Sequence, residues 1–251
     1  KSAPLRAFAA VALWKAGRKE EAAVAAREAI VAAHADPNDA QTQERTLGIL
    51  QAMFGPSRMA DFETAITQAG TPTPMECIVL SEEWAATGPG GIDKSLGWSS
   101  KVLDMGDKAD VTLRGGALMS RGNSLFAKGD ADGAIEAFTA SSKLSPRNAG
   151  AANNSAYLLS KIKGDHARAL EYARRAVLLE PGNPDFLDTL GYVEFRLGKL
   201  PQADDTLTKS VAVAPTASGL LHLAQVKTAR GKVADATALL ERARAKATTD
   251  E

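Results

Sequence analysis

The sequence predicts an all-α protein built from a repeated pair of helices, and two observations lead to that prediction. Alanine supplies much of the apolar fraction, which is 45% of the 251 residues, while aromatic residues are only 5%. Alanine is the best intrinsic helix former, and small side chains let helices approach closely. Glycine, alanine and proline also recur at a nearly constant step through the C-terminal half, which is typical of a repeat protein.

The recurring residues share one register. The glycines are separated by 35, 34 and 33 residues, the alanines by the same three intervals, and the prolines by 35 and 34. The glycines are Gly129, Gly164, Gly198 and Gly231. The alanines are Ala134, Ala169, Ala203 and Ala236, and the prolines are Pro146, Pro181 and Pro215. Three independent landmarks in one register indicate a repeat far more strongly than any single copy does.

Each landmark has a physical role in a two-helix unit. Gly129 and Gly198 are expected to end first helices, because glycine readily adopts the left-handed cap. Pro201 suits the first turn of the next helix, where its missing N–H would have no partner. The register prolines end second helices by disfavouring helical geometry in the residue before them. Small residues are expected where the two helices cross, at Gly122, Ala156, Gly191 and Ala224 on first helices and at the register alanines on second helices.

The N-terminal half repeats less clearly. The segment from Ala3 to about His34 predicts one unit, with Gly17 at its turn and Ala22 at its crossing position. The segment from Asp39 to Ala69 predicts two helices around the turn Phe54-Gly55-Pro56-Ser57.

A further pair of helices is predicted from Met75 to Met105, around the turn Thr87-Gly88-Pro89-Gly90-Gly91. We therefore predict about three divergent repeats in residues 1–110 and about four well-matched repeats in residues 111–251. The odd turns leave the total between about five and seven units, of which seven is preferred.

The C-terminal repeats resemble the tetratricopeptide repeat (TPR) family, whose pattern is W-x2-L-G-x2-Y, then A-x3-F, then P. The best match is Leu187, Leu190, Gly191, Ala203, Leu207 and Pro215. The Ala-rich texture looks like bacterial members of the family. The resemblance implies an all-α, right-handed α-α superhelix of about seven helix-turn-helix repeats, and a concave groove lined by first helices.

In this family certain first-helix positions face a bound segment, and their equivalents here form the predicted peptide-binding groove. They combine amides, which can bond an extended backbone, with aromatic rings that bury area at low entropic cost. They are Asn123, Phe126, Asn153, Asn154, Tyr157, Lys161, Asp188, Tyr192, Phe195, Arg196, His222 and Gln225. For the aromatic members, packing between neighbouring hairpins is an equally good interpretation.

Some family members grip the C-terminal carboxylate of heat-shock chaperones with a clamp of two Lys, two Asn and one Arg. Asn123 and Asn154 match the two amides, but Met119, Asp185 and Thr189 stand where the cations are needed. Since nothing there would neutralise a terminal carboxylate, no chaperone clamp is expected.

Charge and hydropathy argue against other partners. The chain has 30 basic and 30 acidic residues and a formal net charge of zero, whereas phosphate neutralisation supplies most of the affinity of a nucleic-acid binder. No apolar run approaches the roughly 18 residues that span a bilayer. We therefore expect no nucleic-acid partner and no direct membrane insertion.

No catalytic, metal or cofactor site is expected. Residues 88–95 superficially resemble a phosphate-binding loop, but Asp93 stands where glycine must precede Lys94, and no strand is predicted before it. His34, His166 and His222 are far apart and share no metal-ligand spacing. The lone Cys77 lies in an apolar run and reads as a buried small hydrophobe. The prediction is a protein that is not an enzyme.

The leading function is therefore a scaffold that binds a segment of another protein in its groove. One alternative is a self-associating structural scaffold, because Leu5, Phe8 and Val11 leave the N-terminal end of the stack apolar. Another is the TPR arm of a larger enzyme or of an envelope or export complex. The chain starts at Lys1 without Met, which suggests a fragment or processed form, and its sequence does not decide between a cytoplasmic and a periplasmic location.

Overall fold

The computed structural model describes residues 2–33, 35, 41–42, 45–46, 48–50, 59–68 and 71–247. These residues form α-helices joined by turns and short 3₁₀ segments, without a β-strand among them, which confirms the all-α prediction. None of the described helices is both long and apolar enough to cross a membrane. The chain packs as two compact units, Lys1–Asp130 and Ala131–Glu251.

Unit 1 contains six α-helices with described bounds. They are α1 (Ala3–Lys15), α2 (Lys19–Ala33), α3 (Met59–Gln68), α4 (Pro74–Ala86), α5 (Ile92–Asp104) and α6 (Val111–Ala127). Described residues between 41 and 50 are also helical. α1 pairs with α2, α2 packs on α3, and α4, α5 and α6 pack on one another. One apolar cluster runs through the unit, from Ala7 on α1 to Ala117 on α6.

A chain of buried hydroxyl groups joins the last three helices of unit 1. Ser81 Oγ lies 3.0 Å from Ser95 Oγ and 2.7 Å from Ser120 Oγ, and Ser95 Oγ lies 2.6 Å from Ser124 Oγ. All four serines are buried. Each hydroxyl that leaves water here finds a partner, so these small side chains let the helices close without stranding a polar group.

The described residues of unit 2, 131–247, form seven α-helices. They are α7 (Ala131–Leu144), α8 (Ala149–Lys161), α9 (His166–Leu179), α10 (Pro184–Arg196), α11 (Leu200–Val213), α12 (Ala217–Ala229) and α13 (Val233–Ala247). α8–α9, α10–α11 and α12–α13 form hairpins, so α8, α10 and α12 are first helices and α9, α11 and α13 are second helices. The first helices also contact one another, α8 with α10 and α10 with α12. They therefore form a continuous layer within unit 2.

The landmark residues have the predicted roles. Gly198 has a φ of 72° directly after α10, in the left-handed region that favours glycine. At the crossing of α10 and α11, a Cβ added to Gly191 would lie 2.5 Å from Leu207 Cγ, so any larger residue would force Leu207 to shift. The second helices α7, α9 and α11 each end two residues before a register proline, and Pro201 lies in the first turn of α11.

The turn predicted at residues 87–91 lies between α4 and α5. Pro89–Gly91 forms a 3₁₀ segment, and Gly88 has a φ of 87°. His34, Ala69 and the predicted turn at residues 54–57 lie outside the described residues. The predicted boundary at residue 110 separates divergent from well-matched repeats. The division after Asp130 separates compact units and does not test it, so the boundary at residue 110 stays a prediction.

Candidate functional site

The layer formed by α8, α10 and α12 is the part of unit 2 where the predicted groove residues lie. Each of these helices starts with a side-chain cap, which fixes its first turn. Asn148 accepts from the Ala151 N–H at 2.9 Å, Asn183 from the Asp185 N–H at 3.0 Å, and Thr216 from the Gly219 N–H at 3.0 Å. Because the three helices begin in the same way and lie side by side, equivalent positions face the same surface.

Tyr192 is the point where the three first helices meet. Lys161 Nζ of α8 lies 5.0 Å from the ring centroid, and the His222 ring of α12 lies 4.8 Å away between centroids. On α10 itself, Arg196 Nη1 donates to the Tyr192 hydroxyl at 2.8 Å. The side chain is only 6% exposed. Tyr192 therefore holds the layer together and presents little of its ring to solvent.

Asp188 and His222 form a polar pair between α10 and α12. His222 Nδ1 lies 2.9 Å from Asp188 Oδ1, and Ser218 Oγ donates to Asp188 Oδ2 at 3.4 Å. His222 is buried and Asp188 is partly buried. Both oxygens of the Asp188 carboxylate already have hydrogen-bond partners within the protein. The pair therefore links α10 to α12 and has little capacity left to bind a partner.

The remaining members divide into exposed and inward-facing side chains. Tyr157 is 37% exposed, and Lys161, Arg196 and Gln225 are exposed with it. Asn154 is half-buried. We call Asn154, Tyr157, Lys161, Tyr192, Arg196 and Gln225 the first-helix face.

Two predicted groove residues, Phe195 and Asn153, are only partly exposed. Phe195 is half-buried and packs against the apolar cluster that contains Ala203 and Leu207. The side-chain oxygen of Asn153 is buried and has no hydrogen-bond partner among the described residues. Their assignment to the groove stays a prediction.

Asn123 and Phe126 complete the predicted set. Both lie on α6, in unit 1, and both are exposed. They are accessible to a partner, and their groove assignment also stays a prediction.

The family assignment follows from the register and one further match. Residues 119–185 match the family model described as Tetratricopeptide repeat. This stretch of the chain is therefore similar to tetratricopeptide repeats. No curated protein sequence matches the chain.

Solved structures share this TPR fold at low sequence identity. MamA (41-end) from Desulfovibrio magneticus RS-1 aligns with a TM-score of 0.58 at 19% identity, over 71% of this chain and 97% of that chain. TTC0263, a thermophilic TPR protein of Thermus thermophilus, gives 0.53 at 19% identity, over 71% and 93%. The APC/C hetero-tetramer Cut9–Hcn1 gives 0.64 at 16% identity, over 91% of this chain and 43% of that chain.

The repeat register also identifies a surface residue that the sequence interpretation missed. Asn153, Asp188 and Leu221 stand three residues before the crossing positions of successive TPR repeats. The first two were included in the groove and Leu221 was not, although it is an exposed large apolar side chain. It lies one helical turn before Gln225, on the same side of α12. Applying the position three residues before each crossing residue to every repeat would have identified Leu221.

Two titratable groups, His166 in unit 2 and Cys77 in unit 1, have shifted pKa values. Partial burial, and secondarily the Arg196 guanidinium, lowers the pKa of His166, against the opposing effect of Asp165. The His166 Nδ1 lies 2.9 Å from Ser160 Oγ, at the start of α9. In unit 1, burial raises the pKa of the Cys77 thiol to about 11. A buried thiol of this kind is inert, as expected for a small core residue.

Among the residues that the structure describes, no group of three or more His, Cys, Asp or Glu side chains is placed to hold a metal ion. A shallow cavity of about 390 Å³ in unit 1 is lined by Glu63, Asp93, Lys94, Gly97, Trp98 and Lys101. Its polar groups are already paired, since Trp98 Nε1 and Lys94 Nζ both bond to the Glu63 carboxylate, at 2.8 and 2.6 Å.

Proposed function

We propose that this protein is a non-catalytic scaffold that binds an extended segment of another protein along the first-helix face of unit 2. The observation that carries the proposal is the contrast between the two sides of α8, α10 and α12. Their buried positions are filled mainly by alanine, leucine and other small or apolar side chains, while Asn154, Tyr157, Lys161, Arg196 and Gln225 reach solvent at least in part. A surface kept polar and aromatic at equivalent positions of successive helices suits recognition more than stability.

The chemistry of the face fits an extended peptide. The side-chain amides of Asn154 and Gln225 can each donate to and accept from a peptide backbone. Tyr157 and Leu221 offer exposed apolar area beside them, and aromatic anchors carry much of the energy of such interfaces. Cut9–Hcn1, one of the proteins with this fold, is itself a hetero-tetramer. We expect an affinity for one short segment of roughly micromolar strength, or about −8 kcal/mol.

A randomised library of displayed ten-residue peptides, selected on the chain, tests this function. A ten-residue peptide is long enough, because three neighbouring first helices span roughly 20 Å and an extended chain covers about 3.3 Å per residue. Asn154→Ala combined with Tyr157→Ala should weaken the binding of selected peptides at least about tenfold. Tyr192 is left intact, because its buried ring supports three helices and its removal would confound folding with binding.

The matched control is Thr208→Ala combined with Lys209→Ala, at two exposed positions of the second helix α11. It should bind the selected peptides as the parent chain does. If no peptide is enriched, or if the face variant and the control bind equally well, the groove function is wrong.

A second candidate function, self-association, is favoured by the surface of α1. Leu5 is 60% and Phe8 is 53% exposed, one helical turn apart, and neighbouring exposed apolar side chains suit an interface with another copy. Light scattering of the parent chain should then give a mass that rises with concentration, whereas Leu5→Ser combined with Phe8→Ser should stay monomeric. A parent mass that is constant at the monomer value would dismiss this candidate and leave the groove function untouched.

A further inference from the structure

Two cations share one tyrosine on the first-helix face. Lys161 is the last residue of α8 and Arg196 is the last residue of α10. Lys161 Nζ lies 5.0 Å and Arg196 Cζ lies 5.8 Å from the centroid of the Tyr192 ring. Because Arg196 also donates to the Tyr192 hydroxyl, the ring holds both positive groups close to one point of the surface.

Neither cation is neutralised by an acidic side chain among the described residues. Asp188, which precedes Tyr192 by one turn of α10, is engaged by His222 and Ser218. Elsewhere in unit 2 comparable cations do have carboxylate partners, as Lys227 has in Asp204 at 2.6 Å. The positive charge of Arg196 also acts on a neighbouring side chain, because it contributes to the lowered pKa of His166.

The geometry points to an acidic partner segment, an inference that rests on the proposed function. We propose that the bound segment carries an Asp or Glu whose carboxylate lies between Lys161 and Arg196, above the edge of Tyr192. A carboxylate between an ammonium and a guanidinium accepts charge-assisted hydrogen bonds from both, and the planar guanidinium orients it. The neutral members Asn154 and Gln225 are left to bond the segment's backbone.

This position differs from the chaperone clamp of the TPR family. That clamp would need cations at Met119, Asp185 and Thr189, which carry none, whereas Lys161 and Arg196 lie at the C-terminal ends of two successive first helices. The acid is therefore a side chain within the segment and not its terminal carboxylate.

The same displayed library tests the inference. Peptides selected on the parent chain should carry Asp or Glu at one fixed position. Lys161→Gln combined with Arg196→Gln should weaken these peptides about five- to tenfold, the effect of removing two exposed ion pairs. Lys209→Gln combined with Arg242→Gln removes the same charge from exposed positions of two second helices and should leave their binding unchanged.

A charge-reversed chain provides the decisive comparison. Selection on Lys161→Glu combined with Arg196→Glu should enrich Lys or Arg at the position where the parent enriches Asp or Glu. Folding is monitored by the thermal midpoint of each variant, since both substituted positions are exposed.

The outcomes separate the inference from the proposed function. If selected peptides depend on Asn154 and Tyr157 but show no acidic position and bind the two-glutamine variant fully, the inference is wrong and the groove function stands. If acidic peptides bind the Lys209→Gln, Arg242→Gln control as weakly as the Lys161→Gln, Arg196→Gln variant, the attraction is a general charge effect and the inference is also wrong. If no selected peptide depends on Asn154 and Tyr157, both the proposed groove function and this inference are wrong.

Discussion

Gly191 shows how one residue sets the distance between two helices. A methyl group at this position would lie 2.5 Å from Leu207 Cγ, a fully buried atom at the crossing of α10 and α11. Overpacking of this kind costs about 1–3 kcal/mol, against the roughly 0.8–1 kcal/mol that alanine gains over glycine in a helix. We expect Gly191→Ala to lower stability by about 1 kcal/mol in urea denaturation.

Gly97 is the matched control for that substitution. It lies within α5, and an added Cβ would meet no atom within 4 Å. Gly97→Ala should therefore raise stability, by about 0.5–1 kcal/mol. A stabilising Gly191→Ala would show that the two helices can part without cost and that the crossing is not tight.

A second residue-scale prediction concerns the field of Arg196. Its guanidinium contributes to the lowered pKa of His166, although partial burial contributes more. Arg196→Gln removes that repulsion, so the pKa of His166 should rise towards its ordinary value while still falling short of it. NMR titration of the imidazole measures the change, and Lys209→Gln serves as a charge-matched control. An unchanged pKa would mean that burial alone sets it.

The sequence could predict the residues of the scaffold better than those of the surface. Gly191 lies against Leu207 at the predicted crossing of α10 and α11, because a small residue at a crossing has one geometric purpose. Tyr192 could not be assigned in the same way. A helical position says which side a residue faces, but whether a lysine, a histidine or solvent covers the ring depends on the neighbouring repeats.

At the scale of the helix, the glycines and prolines of the sequence predicted where helices end. The sequence did not predict which polar side chains are buried between the helices. First helices end before glycines and second helices end before prolines, because both residues act through local backbone geometry. The buried hydroxyl chain of Ser81, Ser95, Ser120 and Ser124 was not predicted. Serine is usually a surface residue, and its burial here depends on partners that lie up to 39 residues away in sequence.

The α10–α11 hairpin contains a buried carboxyl group that makes its stability depend on pH. Glu194 is buried on α10 and its Oε2 accepts from Thr206 Oγ1 of α11 at 2.9 Å. Burial raises its pKa, and the opposing effects of Thr206 and nearby cations do not overcome it. Because the folded-state pKa lies above the unfolded value, the contribution of this group is full below the unfolded pKa and is lost as pH rises through the folded pKa.

Glu194→Gln isolates that contribution, since glutamine keeps the shape and the acceptor oxygen without the charge. The two chains should have similar thermal midpoints near about pH 4, where the glutamate is mostly protonated, and the variant should melt higher at about pH 8. A difference in midpoint that is the same at both pH values would contradict the raised pKa.

At the scale of the whole molecule, each unit is stabilised by its own apolar clusters. One cluster runs through unit 1, while α11, α12 and α13 of unit 2 share another that contains Leu223 and Leu239. In a repeat protein each pair of helices contacts its neighbours only, so stability is roughly a sum of local terms. Damage in the last hairpin should therefore remain local.

Leu239 and Leu240 provide a matched test of that locality on α13. Leu239 is 8% exposed and belongs to the unit 2 cluster, whereas Leu240 is 46% exposed. Leu239→Ala should cost about 2–4 kcal/mol, and Leu240→Ala much less. Native-state hydrogen exchange should then show lost protection in α12 and α13, a smaller loss in α11, and unchanged protection in α1, α2 and α4–α6.

If Leu239→Ala lowers protection equally in both units, the chain unfolds as one cooperative body, and a partner bound on the first-helix face would stabilise unit 1 as much as unit 2. If protection is lost only near the substitution, that partner would stabilise unit 2 alone.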